Sequence, residues 1–210
     1  MRVVVTAGPT REYIDDVRFI SNASSGLMGV ELAREAVRRG FEVTLLLGPS
    51  CIRVPRGVRV INVVSSDEMT DAALKELKVG CDILVSAAAI GDFTPARKVR
   101  GKISSSGGFT LELKPTRKLI REVRRMFPET MIVAYKAVWG GGRKAIISSA
   151  KRLLDCADLV VANDISKDVF GAGRTKLYVV GAGSCTDIPR WEKSKAARRV
   201  LDLALAEFRA

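Results

Sequence analysis

Apolar runs rich in β-branched residues alternate with stretches of helical period along most of the chain. "RVVVTAG" at the N-terminus predicts a strand, and Leu27 to Arg39 a helix. "FEVTLLLG" predicts a buried strand and "VRVINVVS" another. "SSDEMTDAALKELK" opens a helix with a capping box, Ser65 followed three residues on by Glu68. "CDILVSAAAI" predicts a strand of small residues, and "FTLELK" alternates as a half-exposed strand does. "TRKLIREVRRMF" predicts a helix, "TMIVAYKAV" a strand, "RKAIISSAKRLLDCA" a helix and "DLVVANDIS" a strand. "KLYVVGAG" is a late strand, and "WEKSKAARRVLDLALAEF" an amphipathic closing helix.

Strands alternating with helices predict an α/β fold, a Rossmann-like and mostly parallel sheet with helices on both faces. The expected organisation is a single domain over residues 1–210. The irregular stretch around residues 92–114, with "FTLELK" at its end, is expected to project from the main sheet. Ligands of such folds sit at the carboxyl ends of the strands, near the point where strand order reverses.

The predicted strand ends carry the candidate chemistry. After the first strand comes a long loop, "TAGPTREYIDDVRFISNASSGLMG", with Gly8, Arg18, Asn22 and the turn Ser24-Ser25-Gly26. Its last residues offer backbone N–H groups at a helix N-terminus, an arrangement that favours phosphate. After "DILVS" come Ala87, Ala88, Ala89 and Asp92. Small side chains there admit a flat ring or sugar close to the backbone, or simply a neighbouring helix. After "TMIVAY" come Lys136 and Gly140-Gly141-Gly142, and after "DLVVA" come Asn163 and Asp164. Asp92 and Asp164 suit Mg²⁺ or ribose hydroxyls, and equally suit turns and caps.

Composition narrows the chemistry. The chain has 210 residues, 47% of them apolar, and no apolar run of membrane-spanning length, so a cytoplasmic protein without membrane contact is expected. Cys51, Cys81, Cys156 and Cys185 are scattered and there is no histidine, which argues against zinc and against Ser-His or Cys-His nucleophiles. A net charge of +12 points to an anionic partner, phosphates on a small ligand or a nucleic acid. Aromatics at 6% give little for stacking single-stranded bases, which disfavours a nucleic-acid-binding module. A nicotinamide-dependent reductase is disfavoured too: no GxGxxG follows the first strand, and "LLLGPS" ends the second without an acidic residue.

The long loop closely resembles the opening motif of phosphopantothenate–cysteine ligases (phosphopantothenoylcysteine synthetases). "SAAAIGDFTP" resembles that family's Ala-Ala-x-x-Asp-aromatic motif, "GKI" at Gly101 to Ile103 its flexible-loop lysine motif, "LKPTRKLI" the segment that follows, and "VANDIS" its Ala-Asn-Asp-x-Ser motif. The resemblance runs in order along nearly the whole chain. It implies a ligase of coenzyme A biosynthesis that joins 4'-phosphopantothenate to L-cysteine through an acyl-nucleotide. The co-substrate is CTP in typical bacterial members and ATP in eukaryotic ones, and CTP is the expectation here. Mg²⁺ is implied, bound mainly through phosphates, with no tightly held organic cofactor. A homodimer with shared active sites is implied, with the region around 92–114 supplying a lid and the dimer contact. Implied catalytic residues are Asn22 and Lys102, the latter a lid lysine. Nucleotide contacts fall to Gly8, Ser24, Ser25, Gly26, Ala87, Ala88, Asp92, Lys102, Tyr135 and Lys136. Substrate contacts fall to Arg18, Asn22, Ala89, Asn163 and Asp164, with Arg18 alternatively bracing the loop. The chain departs from the pattern at Val138, where the family often has an acid, at Tyr135 for the usual phenylalanine, and at "KPTRK" for the bacterial Lys-Asn-Pro-Asp. No flavin decarboxylase domain precedes these motifs, so a stand-alone form is the expectation.

Overall fold

A computed structural model describes residues 1–166 and 172–209. Its main sheet has eight strands. In chain order they are β1 (Arg2–Ala7), β4 (Glu42–Leu47), β5 (Arg59–Asn62), β6 (Ile83–Ser86), β9 (Met131–Val138), β10 (Leu159–Asp164), β11 (Arg174–Val180) and β12 (Cys185–Glu192). Two short hairpins lie outside it: β2 (Arg11–Tyr13) with β3 (Phe19–Ser21), and β7 (Phe93–Pro95) with β8 (Leu113–Pro115). The helices are α1 (Leu27–Arg38), α2 (Ser66–Lys78), α3 (Leu119–Met126), α4 (Gly142–Lys151) and α5 (Lys193–Phe208).

The strand order is β12-β11-β10-β9-β6-β1-β4-β5. From β5 to β10 every pairing is parallel, while β11 and β12 pair antiparallel. The order reverses at β1, between β4 and β6, which is the Rossmann arrangement expected from the alternation of elements. Side chains alternate across β1: Val3, Val5 and Ala7 join the core under α1 and α5, and Val4 joins the core under α2, α3 and α4. Both faces are covered, which is why the central strands read as continuous apolar runs.

Local chemistry sets the helix starts. Ser65 accepts the Glu68 amide at 3.2 Å, as a capping box requires, but the Glu68 carboxylate takes the Val64 amide at 2.8 Å instead of the Ser65 amide. α3 begins at Leu119, later than the pattern of "TRKLIREVRRMF" suggests, because Thr116 is held by the hairpin: its amide bonds Asp92 O and its hydroxyl bonds Gly91 O. α4 stops at Lys151, short of the expected end, where Leu153 N turns to Ala150 O three residues back and the chain tightens out of the α-helix.

"FTLELK" differs most from expectation. Only its end enters a strand, Leu113–Pro115, and its partner Phe93–Pro95 lies in the same chain. The pairing reaches back as far as Ala96 N to Glu112 O; Phe109 to Leu111 lie outside it, with no strand opposite them among the described residues. β2, β3 and β12 do not stand out in the sequence. The first two have three residues each, and β12 is an edge strand with Pro189 and only Ile188 buried.

α1 and α5 are clamped through a buried carboxylate. Glu35 accepts Arg38 Nε at 2.7 Å and Arg39 Nε at 2.9 Å, and Arg39 Nη2 reaches Asp202 of α5 at 2.7 Å. The Arg38 hydrogen bond, with help from Arg39, outweighs burial and holds the Glu35 carboxyl at about 2, below its ordinary 4.5. A depressed pKa contributes stability that is full above the ordinary value and lost as pH falls through the folded one. Glu35→Gln is therefore expected to lower the melting temperature at pH 7, with the gap from wild type closing between pH 4.5 and about 2. A gap that is the same at pH 7 and pH 3 would show that Glu35 acts by shape and not by charge.

Candidate functional site

The long loop leaves the sheet at the end of β1 and returns to it at α1, and its two ends touch. Gly8 and Gly26 both have φ 80. A Cβ on Gly26 would come within 2.9 Å of Gly8 N, and one on Gly8 within 2.9 Å of Gly48 O, just past β4. Gly29, one turn into α1, lies so close to β1 that a Cβ would meet the Ala7 Cβ at 2.5 Å. Glycine lets the backbones approach where any side chain would force them apart.

Between those ends the loop is stitched to the segment after β6. Ala89 N bonds Gly8 O at 2.9 Å, Gly91 N bonds the buried Thr10 hydroxyl at 2.9 Å, and Ala88 N bonds Thr6 Oγ1 at 3.1 Å. Asn22 Nδ2 donates to Ala89 O at 3.0 Å and to Ile90 O at 3.3 Å. The small residues Ala87 to Ala89 thus form a wall whose polar groups are fixed by the loop opposite.

Against that wall lies a cavity of about 420 Å³. It opens at the carboxyl ends of β1, β6, β9 and β10, where a fold of this order binds ligands. Of the candidate residues, Asn22, Ser24, Ser25, Gly26, Ala87, Ala88, Ala89, Asp92, Tyr135, Lys136 and Asn163 line it. Gly8, Arg18, Lys102 and Asp164 do not. Gly8 closes the base of the loop. Arg18 turns to Asp15, Lys102 is exposed on the segment between β7 and β8, and Asp164 Oδ1 caps a turn by accepting Gly140 N and Ser166 N, each at 3.0 Å.

The lining also contains residues the sequence did not flag: Met28, Arg117, Lys118, Leu177, Arg174 and Lys193. Arg174 opens β11, which runs antiparallel to β10 and so begins where β10 ends. Lys193 opens α5, directly after β12, which returns to the same edge. No local motif announces either one; reversal of the last two strands brings them there.

The lining is strongly cationic. Arg117, Lys118, Lys136, Arg174 and Lys193 face a single acidic side chain among the described residues, Asp92. Lys118 Nζ holds Asp92 Oδ1 at 2.5 Å across the rim. Arg117 is itself anchored, to Asp71 at 2.6 Å and Glu122 at 2.6 Å. Two helices also point their N-termini at the cavity without a capping side chain of their own, α1 from Gly26 and α3 from Lys118. α1 has no acidic residue in its first turn, and the Leu27 amide is covered only by Ser25 Oγ at 3.4 Å. Helix N-termini and an excess of cations over carboxylates together suit an anion. Tyr135 adds a buried hydroxyl without a hydrogen-bond partner, and burial pushes its pKa well above the ordinary phenol value. No group of three His, Cys, Asp or Glu residues is placed to hold a metal among the described residues. No helix is long and apolar enough to cross a membrane among them.

Comparison with known proteins gives the chain's relatives. Residues 1–207 match the family described as DNA/pantothenate metabolism flavoprotein C-terminal domain. The coenzyme A biosynthesis bifunctional protein CoaBC of Thermococcus kodakarensis is 42% identical over 205 residues, covering 96% of this chain and 50% of that protein. The chain therefore spans about half the length of this curated relative. A crystal structure of the C-terminal domain of a CoaBC protein superposes with a TM-score of 0.81 at 27% identity, covering 98% of this chain and 94% of that one. A Cab2 mutant solved in complex with phosphopantothenate-cysteine has the same fold, with a TM-score of 0.77 at 17% identity over 99% of this chain and 86% of that one. The match over residues 1–207 and the 42% identity to the Thermococcus protein place the chain in the DNA/pantothenate metabolism flavoprotein C-terminal domain family.

Proposed function

We propose that this chain is a phosphopantothenate–cysteine ligase: it joins 4'-phosphopantothenate to L-cysteine by an amide bond at the expense of a nucleoside triphosphate. The cationic cavity at the switch point of the sheet carries the reading, because both the acid substrate and the nucleotide bring phosphate. Family membership and the coenzyme A role named for the Thermococcus relative support it.

A carboxylate is a poor electrophile, so the reaction runs in two steps. The phosphopantothenate carboxylate attacks the α-phosphorus of the triphosphate and pyrophosphate leaves. The cysteine amine then attacks the acyl carbon, loses a proton, and the nucleoside monophosphate leaves. The mixed anhydride between the steps is prone to hydrolysis, and a walled cavity limits its exposure to water. Ser24, Ser25 and the α1 N-terminus supply donors for phosphate oxygens, with Lys136 and Arg174 adding charge. Ala87 to Ala89 leave room for the nucleotide base or ribose. Lys102 is the cation that meets the triphosphate, brought over it by the segment between β7 and β8. Mg²⁺ enters with the triphosphate as part of the co-substrate, since among the described residues the cavity lining offers only the Asp92 carboxylate.

We further propose CTP as the preferred nucleotide. Pyrophosphate release with each of the four nucleotides, given phosphopantothenate and cysteine, is expected to be fastest with CTP. Turnover with ATP that equals or exceeds it overturns the preference, and no release with any nucleotide overturns the ligase.

The hairpin β7–β8 projects from the main sheet with Phe93 and Leu113 exposed, and this face is proposed to pair with a second copy so that each cavity is completed by its neighbour. Light scattering at micromolar concentration is expected to show a dimer; a fully active monomer rules out the shared site.

Asn22→Asp tests the loop directly. Asn22 donates to two backbone carbonyls of the alanine wall, beside the place where phosphate charge gathers. Aspartate has the same shape but no donor, and its charge repels both carbonyls and phosphates. Turnover is expected to fall by about a hundredfold or more, as it does when a donor at a developing anion is lost. The side chain is exposed, so the melting temperature is expected to stay near wild type. Normal turnover would make Asn22 a loop-shaping residue only.

A further inference from the structure

Two cations stand side by side at the start of α3, and they are held very differently. Arg117 is gripped from two sides: Nη1 donates to Asp71 Oδ1 at 2.6 Å, while Nε and Nη2 donate to the two Glu122 oxygens at 2.9 and 2.6 Å. Hydrogen bonds with Glu122, and then with Asp71, raise its pKa above the ordinary guanidinium value. Lys118 meets one carboxylate, with Nζ donating to Asp92 Oδ1 at 2.5 Å. Both side chains of that pair are exposed, Asp92 by 77% and Lys118 by 49%. An exposed pair of this kind contributes little to stability. Arg117 is thus part of the frame, and Lys118 is loosely held.

The backbone beneath the pair is fixed. Thr116 is buried; its amide donates to Asp92 O at 3.0 Å and its hydroxyl to Gly91 O at 2.6 Å. Gly91 N in turn donates to Thr10 Oγ1 at 2.9 Å. The start of α3 and the end of the alanine wall therefore form one frame, and the two exposed side chains at its edge are the parts that can change partners.

Lys118 is also at odds with its helix. It is the N-cap residue of α3, supplies no side-chain cap, and puts a positive charge where the helix dipole favours a negative one. The one acid of the first turn, Glu122, is taken by Arg117. Departures from a local rule gather at functional sites, and an arriving anion would correct this one. Asp92 has the opposite difficulty. It is the one carboxylate in the cavity lining among the described residues, and it repels a polyphosphate. In the free protein Lys118 neutralises it.

We infer that Lys118 is a phosphate-binding residue, and that the Lys118–Asp92 pair exchanges partners when a magnesium nucleoside triphosphate enters: Lys118 turns to a phosphate oxygen and Asp92 to the magnesium ion. The inference rests on the reading of the cavity as a nucleoside triphosphate site. The exchange replaces one weak pair by two contacts and leaves no charge at the rim uncompensated. Without Mg²⁺ it is unbalanced, because Lys118 then reaches the phosphate only by leaving Asp92 bare beside the same anion.

Calorimetric titration of the full chain with CTP and with ATP, in excess MgCl2 and again in EDTA, tests this without turnover. Lys118→Gln is expected to weaken binding in Mg²⁺ about tenfold, the loss of one charge-assisted hydrogen bond. Asp92→Asn carries the distinguishing result. With no carboxylate to leave bare, it is expected to bind the Mg²⁺-free triphosphate about tenfold more tightly than wild type, and to gain little from added Mg²⁺. In the Asp92→Asn background, Lys118→Gln is expected to cost affinity with and without Mg²⁺. Both side chains are exposed, so melting temperatures are expected to stay near wild type. Asp92→Asn binding the Mg²⁺-free triphosphate less tightly than wild type overturns the exchange. Lys118→Gln binding as tightly as a wild type that forms the amide also overturns it and leaves the ligase standing. The expected binding pattern in a chain that forms no amide upholds the exchange and removes the ligase.

Discussion

Three backbones meet at the base of the cavity, at Gly8, Gly26 and Gly48, and the geometry above them depends on that contact. A methyl group on Gly26 or Gly8 would come within 2.9 Å of the neighbouring backbone. Because the ends of the long loop touch, its residues are not needed to bridge a gap between β1 and α1. They are free to form a hairpin, a buried turn and an alanine-facing edge. The closure also sets α1 against β1 through Gly29, so the helix N-terminus is aimed by the same contact that shapes the loop.

Charge is the second organising feature. The formal net charge of +12 is spread over the chain, but only part of it bears on the cavity. Much of the rest is neutralised locally, as where Arg38 and Arg39 grip Glu35, or where Arg124 meets Asp158 at 2.5 Å. Lys136 on β9 is half-buried, and Arg174 heads a strand. Lys136 gives up some of the hydration that an exposed cation such as Arg174 keeps, which favours any anion that replaces the lost water.

Much of the sheet was legible in the sequence because its central strands are buried on both faces and bounded by turn residues. The loop's Asn22, Ser24, Ser25 and Gly26 were legible as a strand-end cluster, and they do line the cavity. Arg174 and Lys193 were not, since their place depends on the reversal at β11 and no local pattern encodes a long-range strand order. "FTLELK" misled because alternation reports exposure of one face, not the presence of a partner strand. Arg18 and Lys102 were named together with the cavity residues, yet they sit beside each other outside it. Neighbours along a motif and neighbours in space differ there, because Asp15 bends the loop back on itself.

The reversal at β11 also bears on when the cavity comes into being. Asn22 lies near the start of the chain, Lys193 near its end, and both line the same cavity. On a ribosome the parallel strands emerge first and can begin to pack, whereas Arg174 arrives with β11 and Lys193 only after β12. A nascent chain stalled before Arg174 holds most of the sheet and none of the β11 side of the pocket. Synthesis thus builds the scaffold well before it builds a place for the ligand.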